Sequence, residues 1–197
     1  MDQNPKNEKT FVMVKPDGIR KGLIGEIIKR FEQRDLKIVA LEMFQPTIEM
    51  IDNHYPKDPV WIERLGHKTL ATYEKYGYDP MADFGSTDPK VLGPMVREWL
   101  VTFMTSTPLV RMVVQGLHAV DMVRKIAGPT MPYLAEMGTI RGDFSSDSPA
   151  LANKEKRAVE NLVHASETPE EAAHEIEYWF GKAPIFEYKR YGIDDKK

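Results

Sequence analysis

Four side chains in this sequence have the chemistry of phosphate ligands, and none belongs to a glycine-rich cradle. Lys15, Arg124, Thr130 and Arg141 each stand beside a turn or at a junction of helix and loop. The run that ends in Gly-Lys-Ser/Thr is absent, as are the spaced glycines of a dinucleotide fold and the His-Glu-x-x-His zinc pattern. Any phosphate bound here is held by single side chains, arginine giving bidentate hydrogen bonds and lysine a point charge. Taken one at a time, each cation is better read as a solvated surface charge. Among the five histidines, His54 lies at a helix end, His67 in an irregular stretch, His118 before a helix and His174 on a charged helix face. His164 differs, because it ends the apolar run Leu162-Val163 and precedes a tight connection into a capped helix. A strand-end imidazole is rigidly placed, reachable from solvent and nucleophilic near neutral pH, although a structural role is the commoner fate of one histidine. Glu175 sharpens the case. It follows Ala172 by three and precedes Trp179 by four, which puts a carboxylate on the apolar stripe. An inward carboxylate needs a hydrogen-bond partner, and a histidine ring N–H is a good one.

The elements that must position these groups are legible from periodicity. Phe11–Val14 reads as a short buried strand ended by the turn Lys15-Pro16-Asp17-Gly18. Ile24, Ile27, Ile28 and Phe31 mark an amphipathic helix, and Ile38–Phe44 a second strand, together a right-handed crossover unit. Thr47 caps a short helix reaching His54-Tyr55. Trp61, Ile62, Leu65, Leu70, Tyr73 and Tyr76 line a helix or helix pair stopped by Gly77, and 79–93 reads as connecting structure. A helix over 96–104, a strand over 109–114, a helix over 119–127 and a loop through 128–138 follow. Ser148-Pro149 starts a helix to about Val159. Thr168-Pro169-Glu170-Glu171 opens the last one, a hydroxyl cap followed three residues later by Glu. The pattern is that of one α+β domain spanning 1–197.

Composition excludes several classes. With 197 residues, 42% hydrophobic and 29% charged, the chain is long enough for a real core and is neither disordered nor low-complexity. No apolar run approaches the ~20 residues of a membrane span, and Met1–Lys9 lacks a signal-peptide core, so a cytoplasmic protein is expected. The absence of cysteine removes disulfides, thiolate zinc sites and a thiol nucleophile. A net charge of −3 and the lack of an aromatic–basic stripe argue against a specific nucleic-acid partner.

Lys15-Pro16-Asp17-Gly18, then Arg124, Gly128 and Thr130, then Thr139-Ile140-Arg141-Gly142-Asp143-Phe144, then Asn161-Leu162-Val163-His164-Ala165-Ser166, followed by the inward Glu175, occur in that order. This ordered set resembles the nucleoside diphosphate kinase family. The resemblance implies a ferredoxin-like α/β sandwich, a four-stranded antiparallel sheet with helices on one face. It implies ping-pong transfer of the γ-phosphate of a nucleoside triphosphate to a diphosphate through phosphohistidine. His164 would be the nucleophile, Glu175 would orient it, and Ser166 would complete its surroundings. Lys15 and Tyr55 would contact the transferring phosphate, and Arg124, Thr130 and Arg141 the other phosphates. Asn161 would bind the ribose and Leu100 would help cover the base. Mg²⁺ would be held mainly by nucleotide phosphates, with no protein metal ligands, and a hexamer or tetramer is expected, using the 130–138 loop and the C-terminal tail. A non-catalytic nucleotide-binding regulator of the same fold is the alternative.

Three departures stand out. Val96 occupies the base-stacking position that the family fills with an aromatic residue. Tyr55 and Leu100 lie 45 positions apart, far more than the family spacing. Glu167 and Thr168 stand where the family has Asp and Ser after the nucleophile. The surplus falls at about 56–93 and 145–159. The first stretch is expected to bring Trp61, Tyr73, Tyr76 or Phe84 to the base, to act as a lid, or to be a surface elaboration.

Overall fold

In the sequence, Phe11 to Val14 is a run without polar alternation, which a strand can carry only if both its faces are covered. The computed structural model, which describes residues 5–190, covers both. The first four residues of the polar N-terminal stretch and the last seven of the tail lie outside the described residues. Strand β1 (Glu8–Val14) pairs antiparallel with β3 (Leu109–Gly116) on one side and β4 (Val163–Ala165) on the other, and β2 (Lys37–Phe44) pairs with β3 at the edge. The sheet order is β2-β3-β1-β4, so β1 and β2 run parallel with β3 between them, as the crossover reading requires.

Helices cover the sheet on both faces rather than one. Val12 and Val14 point into a core with Ile27 and Phe31 of α2 (Ile24–Glu32) and with Ala119 and Val123 of α7 (Ala119–Ala127). Phe11 and Met13 point the other way. They meet Ile51 of α3 (Ile48–His54), Met104 of α6 (Pro89–Thr105) and Trp179 and Phe180 of α10 (Pro169–Phe180). Alternating side chains on a strand face opposite sides, so five consecutive buried residues demand a layer on each. Among the described residues no helix is long and apolar enough to cross a membrane.

The other departures are local. The Lys15–Gly18 turn continues into a short helix, α1 (Pro16–Arg20). After the long α4 (Pro59–Tyr76), the segment read as connecting structure holds α5 (Pro80–Phe84) and the first turn of α6. Asp79 and Asp88, each followed by proline, accept hydrogen bonds from Met81 N and Lys90 N, both at 2.9 Å. An Asp-Pro pair serves a helix start as readily as a turn, which is why the segment misleads. Helices α4 and α6 cross at two glycines: a Cβ on Gly66 would stand 2.1 Å from Pro89 O, and one on Gly93 2.2 Å from Ile62 O. The helix after Ser148, α9 (Pro149–Lys154), ends five residues early, ahead of Lys156 at φ 53°. It packs on α4 and α5 through Lys154, whose Nζ sits over the Tyr73 ring of α4 and 2.6 Å from Asp83 Oδ2 of α5, the same oxygen to which Tyr73 donates at 2.8 Å. The two surplus stretches thus form one unit. Residues 181–190 run beside β2, with Phe186 N donating to Val39 O at 2.8 Å.

Candidate functional site

Strand β4 is three residues long and lies at the sheet edge, where His164 faces Met13 of β1. Edge placement leaves the imidazole reachable while the ladder fixes its backbone. Helix α10 starts as its sequence dictates: Thr168 Oγ1 accepts from Glu171 N at 3.1 Å. Its inward stripe then delivers Glu175, 4% exposed, with Oε1 2.7 Å from His164 Nε2 and Oε2 accepting from Ser166 Oγ at 2.6 Å. Burial is the largest influence on Glu175 and opposes its ionisation. The hydrogen bonds from His164 and Ser166 and the neighbouring imidazole charge outweigh it, so its pKa lies below the usual glutamate value. An ionised acceptor at Nε2 fixes the proton there and leaves the Nδ1 lone pair free.

No pattern in the sequence gives His54 a role, yet it stands edge-on to His164, ring centroids 5.2 Å apart at 90°. Trp179 Nε1 donates to its Nδ1 at 3.3 Å. Burial, and then the charge of His164, push its pKa down to about 3, so it remains neutral beside the nucleophile. Only the fold could show this neighbour, since 110 residues separate the two histidines.

Glu175→Gln keeps a carbonyl acceptor for Nε2–H but removes the charge. Turnover is expected to fall on the order of 10- to 100-fold, the usual loss when an orienting partner is altered. A lowered carboxylate pKa adds stability above the unfolded-state value that is lost as pH falls through the folded one. The stability gap between wild type and Glu175→Gln should therefore shrink below about pH 4.5, read from urea melts across pH.

The cations come from three other elements. Lys15, at the N-terminus of α1, donates through Nζ to Asn161 Oδ1 at 2.7 Å, and Asn161 Nδ2 donates to Thr130 O at 3.0 Å. Burial, and then the Arg141 charge, bring the Lys15 pKa down to about 8. Arg141 sits on α8 (Ile140–Phe144), a helix too short for periodicity to announce, capped by Thr139. Its Nε donates to Asn161 O at 3.1 Å, Nη2 to Val163 O at 2.8 Å and Nη1 to Gly128 O. Burial lowers its pKa to about 10, which leaves it charged at neutral pH. Arg124 lies on the rim and donates to Glu167 O at 2.7 Å.

Lys15, Tyr55, Thr130, Arg141, Asn161, His164 and Glu175 line one cleft of about 720 Å³. An adjoining groove of about 500 Å³ shares Thr130 and Arg141 and adds Arg124. Ser166 is buried behind Glu175 and lines neither. Val96 and Leu100 also line neither. Trp61, in the first turn of α4, does, with its ring stacked at 6.2 Å and 27° against Tyr55. Of the other aromatic candidates, Tyr73 is buried between α4 and α5, and Tyr76 and Phe84 line neither space. Burial, and then the charge of Glu175, push the Tyr55 phenol up, so it stays protonated. Arg97 of α6 fixes the turn that carries Tyr55, donating to Asp52 Oδ1 at 2.6 Å and Asp52 O at 2.8 Å.

Among the described residues, the one group with metal-ligand spacing is His54, His164 and Glu175, whose donor atoms lie within 4.8 Å of one another. Its hydrogen bonds are committed as above. Of the other carboxylates lining the cleft, Glu167 pairs with Arg124 and Glu171 accepts from Glu167 N. The cleft therefore offers no oxygen-rich cage of the kind Mg²⁺ prefers, and fits an ion carried in on phosphates.

The family model described as nucleoside diphosphate kinase matches residues 8–60 and 94–185. A nucleoside diphosphate kinase of Pyrobaculum aerophilum is 49% identical over 180 residues, covering 91% of this chain and 98% of its own length. The break at 61–93 is thus not private to this chain, since a match of that coverage must include part of it. One from Pyrococcus abyssi is 38% identical, covering 96% and 94%. A crystal structure of an NDP kinase from P. aerophilum superposes with a TM-score of 0.87 at 48% identity, covering 92% of this chain and all of the other. A transition-state mimic of the Borrelia burgdorferi enzyme with bound vanadate and ADP gives 0.73 at 34% identity, covering 94% of each. A family model that matches most of the chain, with relatives of this identity, coverage and superposition, shows that the chain belongs to the nucleoside diphosphate kinase family.

Proposed function

We propose that this chain moves the γ-phosphate of a nucleoside triphosphate to a nucleoside diphosphate by a ping-pong route through His164. The observation that carries the reading is the free Nδ1 of His164, with Nε2 held by an ionised Glu175, opening on a cleft lined by Lys15 and Arg141. Nδ1 attacks the γ-phosphorus, the bond to the β,γ-bridging oxygen breaks, and the diphosphate leaves with that electron pair. A second diphosphate then attacks, the P–N bond breaks and the ring returns to neutral. Glu175 stabilises the positive ring formed between the two steps. Lys15 and the Tyr55 hydroxyl meet the transferring group, while Arg124, Thr130 and Arg141 hold the remaining phosphates and Asn161 the ribose. Such fixed charges stabilise the transferring oxygens without rearrangement. Mg²⁺, bound through the nucleotide, supplies further charge neutralisation.

Trp61 takes the base in this reading, in place of Val96 and Leu100, which lie outside the cleft. Stacking on one aromatic ring contributes about 1–3 kcal/mol per base. Trp61→Ala should therefore raise KM for a purine diphosphate by roughly tenfold with kcat little changed, measured by steady-state kinetics. A homo-oligomer fits the exposed Leu41 and Met43 on edge strand β2 and Leu134 and Met137 in the 130–138 loop, Met137 being 80% exposed. A cytoplasmic site of action suits its soluble nucleotide substrates.

The decisive test is incubation with γ-labelled ATP followed by a chase with a different diphosphate. An acid-labile phosphoprotein that discharges in the chase is expected. No phosphoprotein would leave a nucleotide-binding regulator and overturn the mechanism.

A further inference from the structure

Two residues ahead of the nucleophile the chain passes through a conformation that a branched side chain rarely adopts. Leu162 has φ 69°, and Val163 N donates to Asn161 O at 2.8 Å, closing a three-residue γ-turn of the strained, positive-φ kind. Such backbone persists only where its surroundings over-determine it. Leu162 N donates to Asp17 Oδ2 at 2.8 Å, and Leu162 O accepts from Lys15 N at 2.8 Å. Gly18 comes so near that a Cβ there would stand 2.9 Å from the same carbonyl. Asp17 is 2% exposed, and its other oxygen, Oδ1, is buried and accepts no hydrogen bond from any described residue. A neutral asparagine would satisfy the Leu162 amide equally and be easier to bury. A carboxylate in that place has a second task, and its charge acts on both Lys15 and Arg141.

We propose that Asp17 is a positioning residue for phosphoryl transfer. Oδ2 holds the Leu162 turn that seats His164 beside Lys15, and the buried charge keeps two neighbouring cations together while no phosphate lies between them. The proposal rests on the reading of His164 as nucleophile. Between turnovers Lys15 and Arg141 repel each other, and Asp17 is the opposing influence on the Lys15 ammonium. The other titratable groups lining the cleft with Lys15 are His54 and Tyr55 at the end of α3, His164 on β4, and His174, Glu175 and Tyr178 on α10, together with Lys57, which pairs with Asp52, Glu167, which pairs with Arg124, and Glu171, which accepts from Glu167 N. His54 and Tyr55 stay neutral, and Glu175 is committed to His164 and Ser166. Removing the Asp17 charge therefore lets Lys15 lose its proton at lower pH.

The test compares wild type, Asp17→Asn and Asp17→Ala in kcat/KM across pH and in single-turnover labelling from γ-labelled ATP. The wild-type alkaline limb of kcat/KM, which reports the free enzyme, should fall where Lys15 titrates, about pH 8. Asp17→Asn keeps the acceptor for Leu162 N, so its melting temperature should stay within a few degrees of wild type. Its alkaline limb should move to lower pH by about one unit, with labelling near pH 8 slowed roughly tenfold. Asp17→Ala, which also frees the turn, should slow labelling at every pH, on the order of 100-fold. An Asp17→Asn limb and labelling rate equal to wild type would overturn the proposal, and they decide it even if Asp17→Ala fails to fold. If wild type itself takes up no label, the nucleophile reading fails and the proposal falls with it, a result distinct from labelled wild type with an unshifted Asp17→Asn.

Discussion

His164→Gln is expected to leave a folded, nucleotide-binding protein that takes up no phosphoryl group. Glutamine places an amide N–H where the imidazole Nε2–H stood, so Glu175 keeps a donor and stays ionised with Ser166 on its other oxygen. What disappears is Nδ1, and with it the only lone pair the arrangement offers to the cleft at that point. The loss should be large because of the size of the site. A cleft of about 720 Å³ suits one nucleotide rather than two, so donor and acceptor visit in turn and the phosphoryl group must rest on the protein between visits. Without the covalent intermediate, the residual rate comes from positioning alone. Turnover should fall by on the order of 10⁴-fold or more. Nucleotide affinity by calorimetry should change by no more than a few-fold, since the phosphate and sugar contacts are intact. Labelled, acid-labile phosphoprotein in the Gln variant would move the nucleophile elsewhere.

Much of this site is written in local sequence. The run Phe11–Val14 announces a central strand, and Thr168-Pro169-Glu170-Glu171 fixes both the start of α10 and the phase that turns Glu175 inward. What local pattern cannot hold is the pairing of distant segments. His54 meets His164 only because α3 and α10 pack on the same face of the sheet, joined through Trp179. Periodicity marks Trp61 as helical but cannot say that it faces the nucleotide. That phase depends on how α4 crosses α6, which Gly66 and Gly93 set by admitting backbone where a Cβ would collide. The Asp-Pro starts of α5 and α6 mislead for a related reason. The same dipeptide caps a helix or makes a turn, and tertiary packing chooses.

Arg141 shows how a residue chosen for its charge can serve first as a brace, and Arg141→Lys separates the two. The guanidinium spends three of its donors on the carbonyls of Gly128, Asn161 and Val163, tying the 128–138 loop to the strand that carries the nucleophile. Lysine preserves the positive charge but offers one compact ammonium that cannot span three acceptors. Asn161 O keeps its bond from Val163 N, but at least one of the Gly128 and Val163 carbonyls loses the guanidinium donor, at about 1–3 kcal/mol. The expected loss is about 1–3 kcal/mol of stability, a fall in melting temperature of roughly 2–12 °C for a chain of this size. Turnover should also drop on the order of 10²- to 10³-fold, because Asn161, and through it Lys15, is released from the geometry the transition state requires. Urea melts and steady-state kinetics on the same preparation read both effects. If charge were all that Arg141 supplied, the lysine variant would melt with wild type and turn over within a few-fold of it, and that result would remove the brace from the account. A paired loss has another meaning. The loop that meets the phosphates and the strand that bears His164 would then be one mechanical unit, with the guanidinium as its joint.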